Sequence, residues 1–111
     1  MLRGDKMPEK KDKPEIFVDK IRDGWVHGRV RYYGRFRFLI KVDDKPSKYG
    51  INKGYISGLQ IIDYEIQAEY GHGIWRLKPE SDVVKTVYRA IVRKFNKGLP
   101  YGYTYIHWDA Q

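Results

Sequence analysis

Four arginines recur at alternate positions on either side of one turn. Arg29 and Arg31 precede Tyr32-Tyr33-Gly34, and Arg35 and Arg37 follow it. Spacing by two puts side chains on one face of a strand. If the turn closes a hairpin, Arg31 faces Arg35 and Arg29 faces Arg37, and like charges in direct opposition are unfavourable. Such a row calls for anions. Phosphates are one source, with Trp25, His27 and Tyr33 beside the arginines as stacking surfaces, which is the chemistry of single-stranded nucleic-acid binding. The other source is the protein itself. Asp63, Glu65 and Glu69 share one face of a later alternating segment, and as sheet neighbours they would neutralise the row and chiefly fix register.

A second basic set is Lys85, Arg89, Arg93 and Lys97, with Lys94 alongside. Spacing by four makes one stripe of a helix. It reads either as a further phosphate contact or as a solvated face whose cations suit the helix C-terminus. Only Asp82 offsets it.

Enzyme chemistry is poorly supported. His27, His72 and His107 have no metal-ligand spacing. The absence of cysteine excludes disulfides, zinc ribbons and thiol catalysis. Gly71-His72-Gly73 lacks a third glycine and does not lead directly into a helix. The expectation is a protein with no catalytic residues, no metal and no cofactor. A hydrolase or nuclease using His72 near Asp63 or Glu65 is the third-ranked reading.

The elements that must position these residues follow from periodicity. Residues 1–14 carry five basic and three acidic side chains and two prolines, without apolar periodicity, and read as a disordered basic leader. Residues 15–111 make a single α+β domain. Glu15-Ile16-Phe17-Val18 reads as a short strand, and Asp23-Gly24 signals a turn. Residues 25–31 and 35–42 alternate around a three-residue loop in which Gly34 supplies the left-handed conformation. That register sends Val26, Val30, Phe36, Phe38, Ile40 and Val42 to one face; a two-residue loop would scramble the faces. Residues 43–54 read as a long loop, and Tyr55 to Leu59 as extended chain. Ile61 to Tyr70 then alternates, with Ile62, Tyr64, Ile66, Ala68 and Tyr70 on one side. Gly71-His72-Gly73 is a turn and Ile74 to Leu77 a last short strand. From Ser81, a plausible N-cap, Val84, Val87, Tyr88, Ile91, Val92 and Phe95 recur at helical spacing. Gly98 and Pro100 stop the helix, which spans 82–97. The aromatic segment 99–111, with Tyr101, Tyr103, Tyr105 and Trp108, is a final strand or a tail pressed on the sheet. The predicted fold is an antiparallel sheet of about five strands packed by one C-terminal amphipathic helix.

Trp25-Val26-His27-Gly28, then Ser47-Lys48-Tyr49-Gly50-Ile51-Asn52-Lys53-Gly54-Tyr55-Ile56-Ser57-Gly58-Leu59, then Trp75-Arg76-Leu77-Lys78-Pro79 before the helix form a set. This set resembles a family of small uncharacterised proteins of phages and mobile elements of Gram-positive bacteria, over about residues 24–97. The chain departs from that pattern in its basic leader, its tyrosine-rich end and its more basic helix. The resemblance carries no assigned catalytic or binding residues. It implies a phage or mobile-element accessory protein, of the kind that binds nucleic acid or inhibits a host protein.

Net charge completes the expectation. The chain is 111 residues long with 22 basic and 14 acidic side chains, a balance of +8, which attracts polyanions and acidic protein patches. No apolar run approaches the ~18 residues of a membrane span, and the opening residues are polar, so a cytoplasmic location is expected, that of the host if phage-encoded. The first expectation is a non-enzymatic module binding nucleic acid, or a nucleic-acid-bound protein. Its contacts would be Trp25, Arg29, Arg31, Tyr33, Arg35, Arg37, Lys85, Arg89, Arg93 and Lys97. The second is a protein-interaction module such as an inhibitor of a host defence protein. An open sheet edge also offers a route to a homodimer.

Overall fold

Alternating apolar residues give strands, and residues that tolerate positive φ give the turns between them. The structure, a computed structural model, describes residues 13–100. Its elements in chain order are β1 (Glu15–Arg22), β2 (Trp25–Arg31), β3 (Arg35–Val42), β4 (Ile56–Asp63), β5 (Glu65–Gly71), β6 (Ile74–Leu77) and α1 (Asp82–Phe95). The strands form one six-stranded antiparallel sheet in sequence order, so each strand pairs with the next along the chain. The fold class is as expected, with six strands rather than about five. The aromatic segment lies outside the described residues from Tyr101 onward.

The β2–β3 hairpin has the predicted register, with Arg31 opposite Arg35, Val30 opposite Phe36 and Arg29 opposite Arg37. Its loop places both Tyr33 (φ 50°) and Gly34 (φ 137°) at positive φ. The β1–β2 and β5–β6 turns are two-residue links, Asp23-Gly24 and His72-Gly73, with both residues at positive φ in each. That is the hairpin geometry whose twist matches the strands.

Two expectations are corrected. β1 continues past Val18 to Arg22, through a register shift between Val18 and Lys20. Asp19 is the extra residue of this bulge. The segment from Ile61 to Tyr70 is also not one strand. It folds back at Tyr64, which is fully exposed at φ 67°, with Asp63 opposite Glu65. The alternation passes through a one-residue tip without interruption, and no glycine, proline or asparagine marks it. A second register shift pairs Ile61 with Ala68 but Ile62 with Ile66. Ala68 and Tyr70 are therefore buried, whereas Ile66 is exposed.

The core is the inner face of the sheet under α1. Val26, Val30, Phe36, Phe38, Ile40 and Val42 are all buried there, with Ile21, Leu59 and Ile61. α1 inserts Val84, Val87, Ile91 and Phe95, each contributing about 1.5–3 kcal/mol on burial. Phe95 meets Phe38 at 6.1 Å between ring centroids. Trp75 bridges Tyr70 and Tyr88 edge-on, at 5.0 and 5.4 Å. Ser81 caps the helix as predicted, accepting from the Val84 amide at 3.1 Å.

The helix ends at Phe95, not at residue 97, because Asn96 turns away to hold the long loop. Its Nδ2 donates to the Ile51 carbonyl and its Oδ1 accepts from the Ile56 amide, both at 2.8 Å. Within that loop Ile51–Lys53 form a short 3-10 turn with Ile51 buried. The loop closes so tightly that a Cβ on Gly50 would stand 2.0 Å from the Gly54 carbonyl oxygen. One on Gly54 would stand 2.3 Å from the Asn96 amide. The Gly-Ile-Asn-Lys-Gly stretch is thus an architectural clasp between loop and helix.

Candidate functional site

The residues between the buried positions of the strands form the outer face of the sheet. No described element covers it. Its arginine row is as the alternation requires: Arg29, Arg31, Arg35 and Arg37 are all exposed. What neutralises the row is not what the sequence suggested. Glu15 and Asp19 of β1 face the β2 arginines. Arg31 donates from Nε to Glu15 at 2.8 Å and from its terminal nitrogen at 2.5 Å. Arg29 grips Asp19 through Nε at 3.0 and 3.1 Å and through a terminal nitrogen at 2.8 Å. Asp19 reaches the outer face by simple alternation with Glu15 and Phe17; the Val18–Lys20 bulge then puts Lys20 outside and returns Ile21 to the core. The Asp19 hydrogen bond and charge raise the Arg29 pKa above its ordinary value. The Phe17 ring lies 5.2 Å from the Arg29 guanidinium and 5.9 Å from that of Arg31.

Asp63, Glu65 and Glu69 do not serve the row. β4 sets Ile62, not a carboxylate, opposite Arg37. Asp63 and Glu65 flank the Tyr64 tip, and Glu69 accepts from Gln60 Nε2 at 3.0 Å. Among the described residues Arg35 and Arg37 therefore have no ion-pair partner. Two of four arginines are balanced and two are not.

The remaining predicted residues are distributed rather than gathered. Tyr33 stands at the hairpin tip, 63% exposed, with its ring edge-on to Tyr32 at 4.7 Å. Trp25 shares the outer face but sits at the other end of β2, six residues from Arg31 and so about 20 Å away. Lys85, Arg89 and Arg93 line the outward side of α1, and Lys97 lies beyond its end; all are exposed. This stripe and the arginine row lie on opposite sides of the sheet. One straight ligand cannot touch both without rounding an edge.

Sequence reasoning missed a groove at the Trp25 end of the outer face, of about 630 Å3. Its floor is Gly58 paired directly with Gly71. Trp25 and Lys41 stand on one side, the Lys41 ammonium 5.9 Å from the indole and 3.3 Å from Asp43. Tyr49 and His72 stand on the other, with the Gln60–Glu69 pair along one margin. The signal that could have found it is the pair of glycines at matching positions of a hairpin, which becomes visible only once the Tyr64 turn is known. His72 lies at the far end of β5 from Glu65 and so is not near Asp63 or Glu65, as the hydrolase reading required. Among the described residues no group of three His, Asp or Glu side chains could hold a metal ion. No described helix is long and apolar enough to cross a membrane.

No curated protein and no solved structure matches the chain. One family model does, described as a domain of unknown function, DUF7678, over residues 24–96. That interval runs from the first hairpin turn to Asn96, and so takes in the arginine hairpin, the Gly50–Gly54 clasp, the groove and the helix. The chain belongs to the DUF7678 family.

Proposed function

We propose that the protein is a non-enzymatic binder of single-stranded nucleic acid, and that the outer face of the sheet is its binding surface. The observation that carries this reading is the pair Arg35 and Arg37 on the outer sheet face, which have no ion-pair partner among the described residues. Guanidinium groups without a carboxylate partner suit phosphate, to which they donate in a planar fork. Phe17 and Tyr33 near the row, and Trp25 further along, supply ring surfaces on which bases stack. Arg29 and Arg31 are held upright by Asp19 and Glu15 and give the row its register. Lys85, Arg89, Arg93 and Lys97 add long-range attraction from the other side of the molecule. A place among phage or mobile-element accessory proteins, acting in the host cytoplasm, belongs to the same proposal. The test is titration of a labelled single-stranded oligonucleotide at low salt against an unrelated monomeric protein of equal net charge. Tighter binding by this chain is expected; equal binding refutes the reading.

A second reading is favoured by a separate observation. Ile66, Ile74 and Leu77 are 40%, 62% and 39% exposed on β5 and β6. An exposed apolar margin on a basic protein fits a protein partner with an acidic surface, such as a host defence protein inhibited by this one. Capture of one such partner that survives nuclease treatment, with no oligonucleotide binding, selects this reading over the first.

A further inference from the structure

The two ends of the outer face differ in chemistry. The arginine end offers cations without carboxylates on β3. The groove end balances Asp43 and Glu69 against Lys41 and Arg76, around a floor stripped of side chains. We infer that the groove receives one unstacked nucleobase and favours guanine. This rests on the proposed nucleic-acid reading and assigns the site that reads the base.

Space, a stacking wall and an orienting polar group are all present. A Cβ added at Gly71 would meet nothing within 4 Å, so the volume above it is open. A Cβ at Gly58 would stand 3.5 Å from the edge of the Trp25 ring. The indole therefore reaches over Gly58 and bounds the open space on one side, 40% exposed. Tyr49, 54% exposed, bounds the other, with its ring against the Gly73 turn. A groove of about 630 Å3 lies within the range of small-ligand sites.

The polar group is Glu69. Gln60 donates to its Oε2 at 3.0 Å, which fixes the carboxylate and leaves Oε1 and the second lone pair of Oε2 to accept. Guanine presents two adjacent donors, N1–H and the N2 amino group, on its Watson–Crick edge, and a carboxylate accepts from both side by side. Adenine, cytosine and thymine or uracil each set an acceptor next to their donor, and a carboxylate repels that acceptor. From Arg37 to Lys41 is four residues of β3, about 14 Å. A strand whose phosphates lie on Arg35 and Arg37 can therefore deliver a base to the groove from within the same oligonucleotide.

The experiment uses the full chain and an all-thymine oligonucleotide of about 12 nucleotides, alongside versions with one central guanine, adenine or cytosine, followed by fluorescence anisotropy at low salt. The guanine version is expected to bind about tenfold tighter than the other three. Glu69→Gln should abolish that preference without lowering the all-thymine affinity, and circular dichroism should show the fold retained. Trp25→Leu should also reduce the preference. Equal affinity for all four, with binding still salt-sensitive and dependent on Arg35 and Arg37, overturns the base site and leaves the proposed function standing. A guanine preference that survives Glu69→Gln overturns it as well. No salt-sensitive binding to any of the four overturns the proposed function itself.

Discussion

On the inner face of the β2–β3 hairpin stand Val26, Val30, Phe36, Phe38, Ile40 and Val42, all buried. On the outer face, one residue along each time, stand Trp25, His27, Arg29, Arg31, Arg35 and Arg37, all exposed. The same alternation builds both, yet only the inner set is needed to make the fold. Its residues meet α1 and exclude water. The outer arginines meet one another, which costs stability, and β1 relieves only half of them. Each opposed pair keeps one arginine, Arg35 or Arg37, without a carboxylate among the described residues, and the proposed function assigns those two to a ligand.

The comparison yields a separation of effects: inner-face changes should lower stability, and outer-face changes should lower binding. The largest effect is expected for Phe95→Ala, about 3–5 kcal/mol of unfolding free energy, read by urea denaturation. Any of this variant that remains folded should bind oligonucleotide normally. Asn96→Ala should cost about 2 kcal/mol, because it frees the Ile51 carbonyl and strands the half-buried Ile56 amide. The same titration measures it. Arg35→Gln with Arg37→Gln should weaken single-strand binding at low salt by roughly tenfold, with midpoint stability unchanged or slightly higher. Loss of stability without loss of binding in this variant would show that the outer arginines serve the fold instead of a ligand.

Two smaller effects sharpen it. Burial, with Tyr70 nearby, raises the Tyr88 pKa above 10.0, and burial alone raises that of Tyr70. An acid held neutral by the fold contributes stability that is complete below its unfolded pKa and is lost as pH rises through the folded one. Thermal stability should therefore fall above about pH 10, and less steeply in Tyr88→Phe. This inner-face effect should leave binding at neutral pH untouched. The smallest effect is expected for Glu15→Gln with Asp19→Asn. Freeing Arg29 and Arg31 should strengthen oligonucleotide binding a few-fold, while thermal stability hardly changes because the pairs are exposed.

The parts of the fold that were legible were those fixed by local pattern. The hairpin register followed from the requirement that apolar residues share a face, and the helix from Ser81 and its valine spacing. The parts that were not legible depend on irregularities. Lys20 breaks the alternation of β1, and so the strand reads as ending at Val18, although the bulge there continues the strand and returns Ile21 to the core. Tyr64 reverses the chain without any residue that advertises a turn, and its alternation misassigned Asp63, Glu65 and Glu69 to the arginines. Asn96 looked like one more helical residue. Its role depends on Gly50 and Gly54, more than forty positions away. The basic residues were each identified, but their division between two sides of a sheet is a property of topology.

The central claim is that Arg35 and Arg37, and not their opposed neighbours, are the phosphate contacts. The most direct measurement is the salt dependence of single-strand binding for the wild type, Arg35→Gln/Arg37→Gln and Arg29→Gln/Arg31→Gln. The slope of log affinity against log salt should become shallower by about 1.4 in the β3 double variant, two contacts at about 0.7 each. The change in the β2 double variant should be less than half that size. Equal changes in the two, or an unchanged slope in the β3 variant, would contradict the claim.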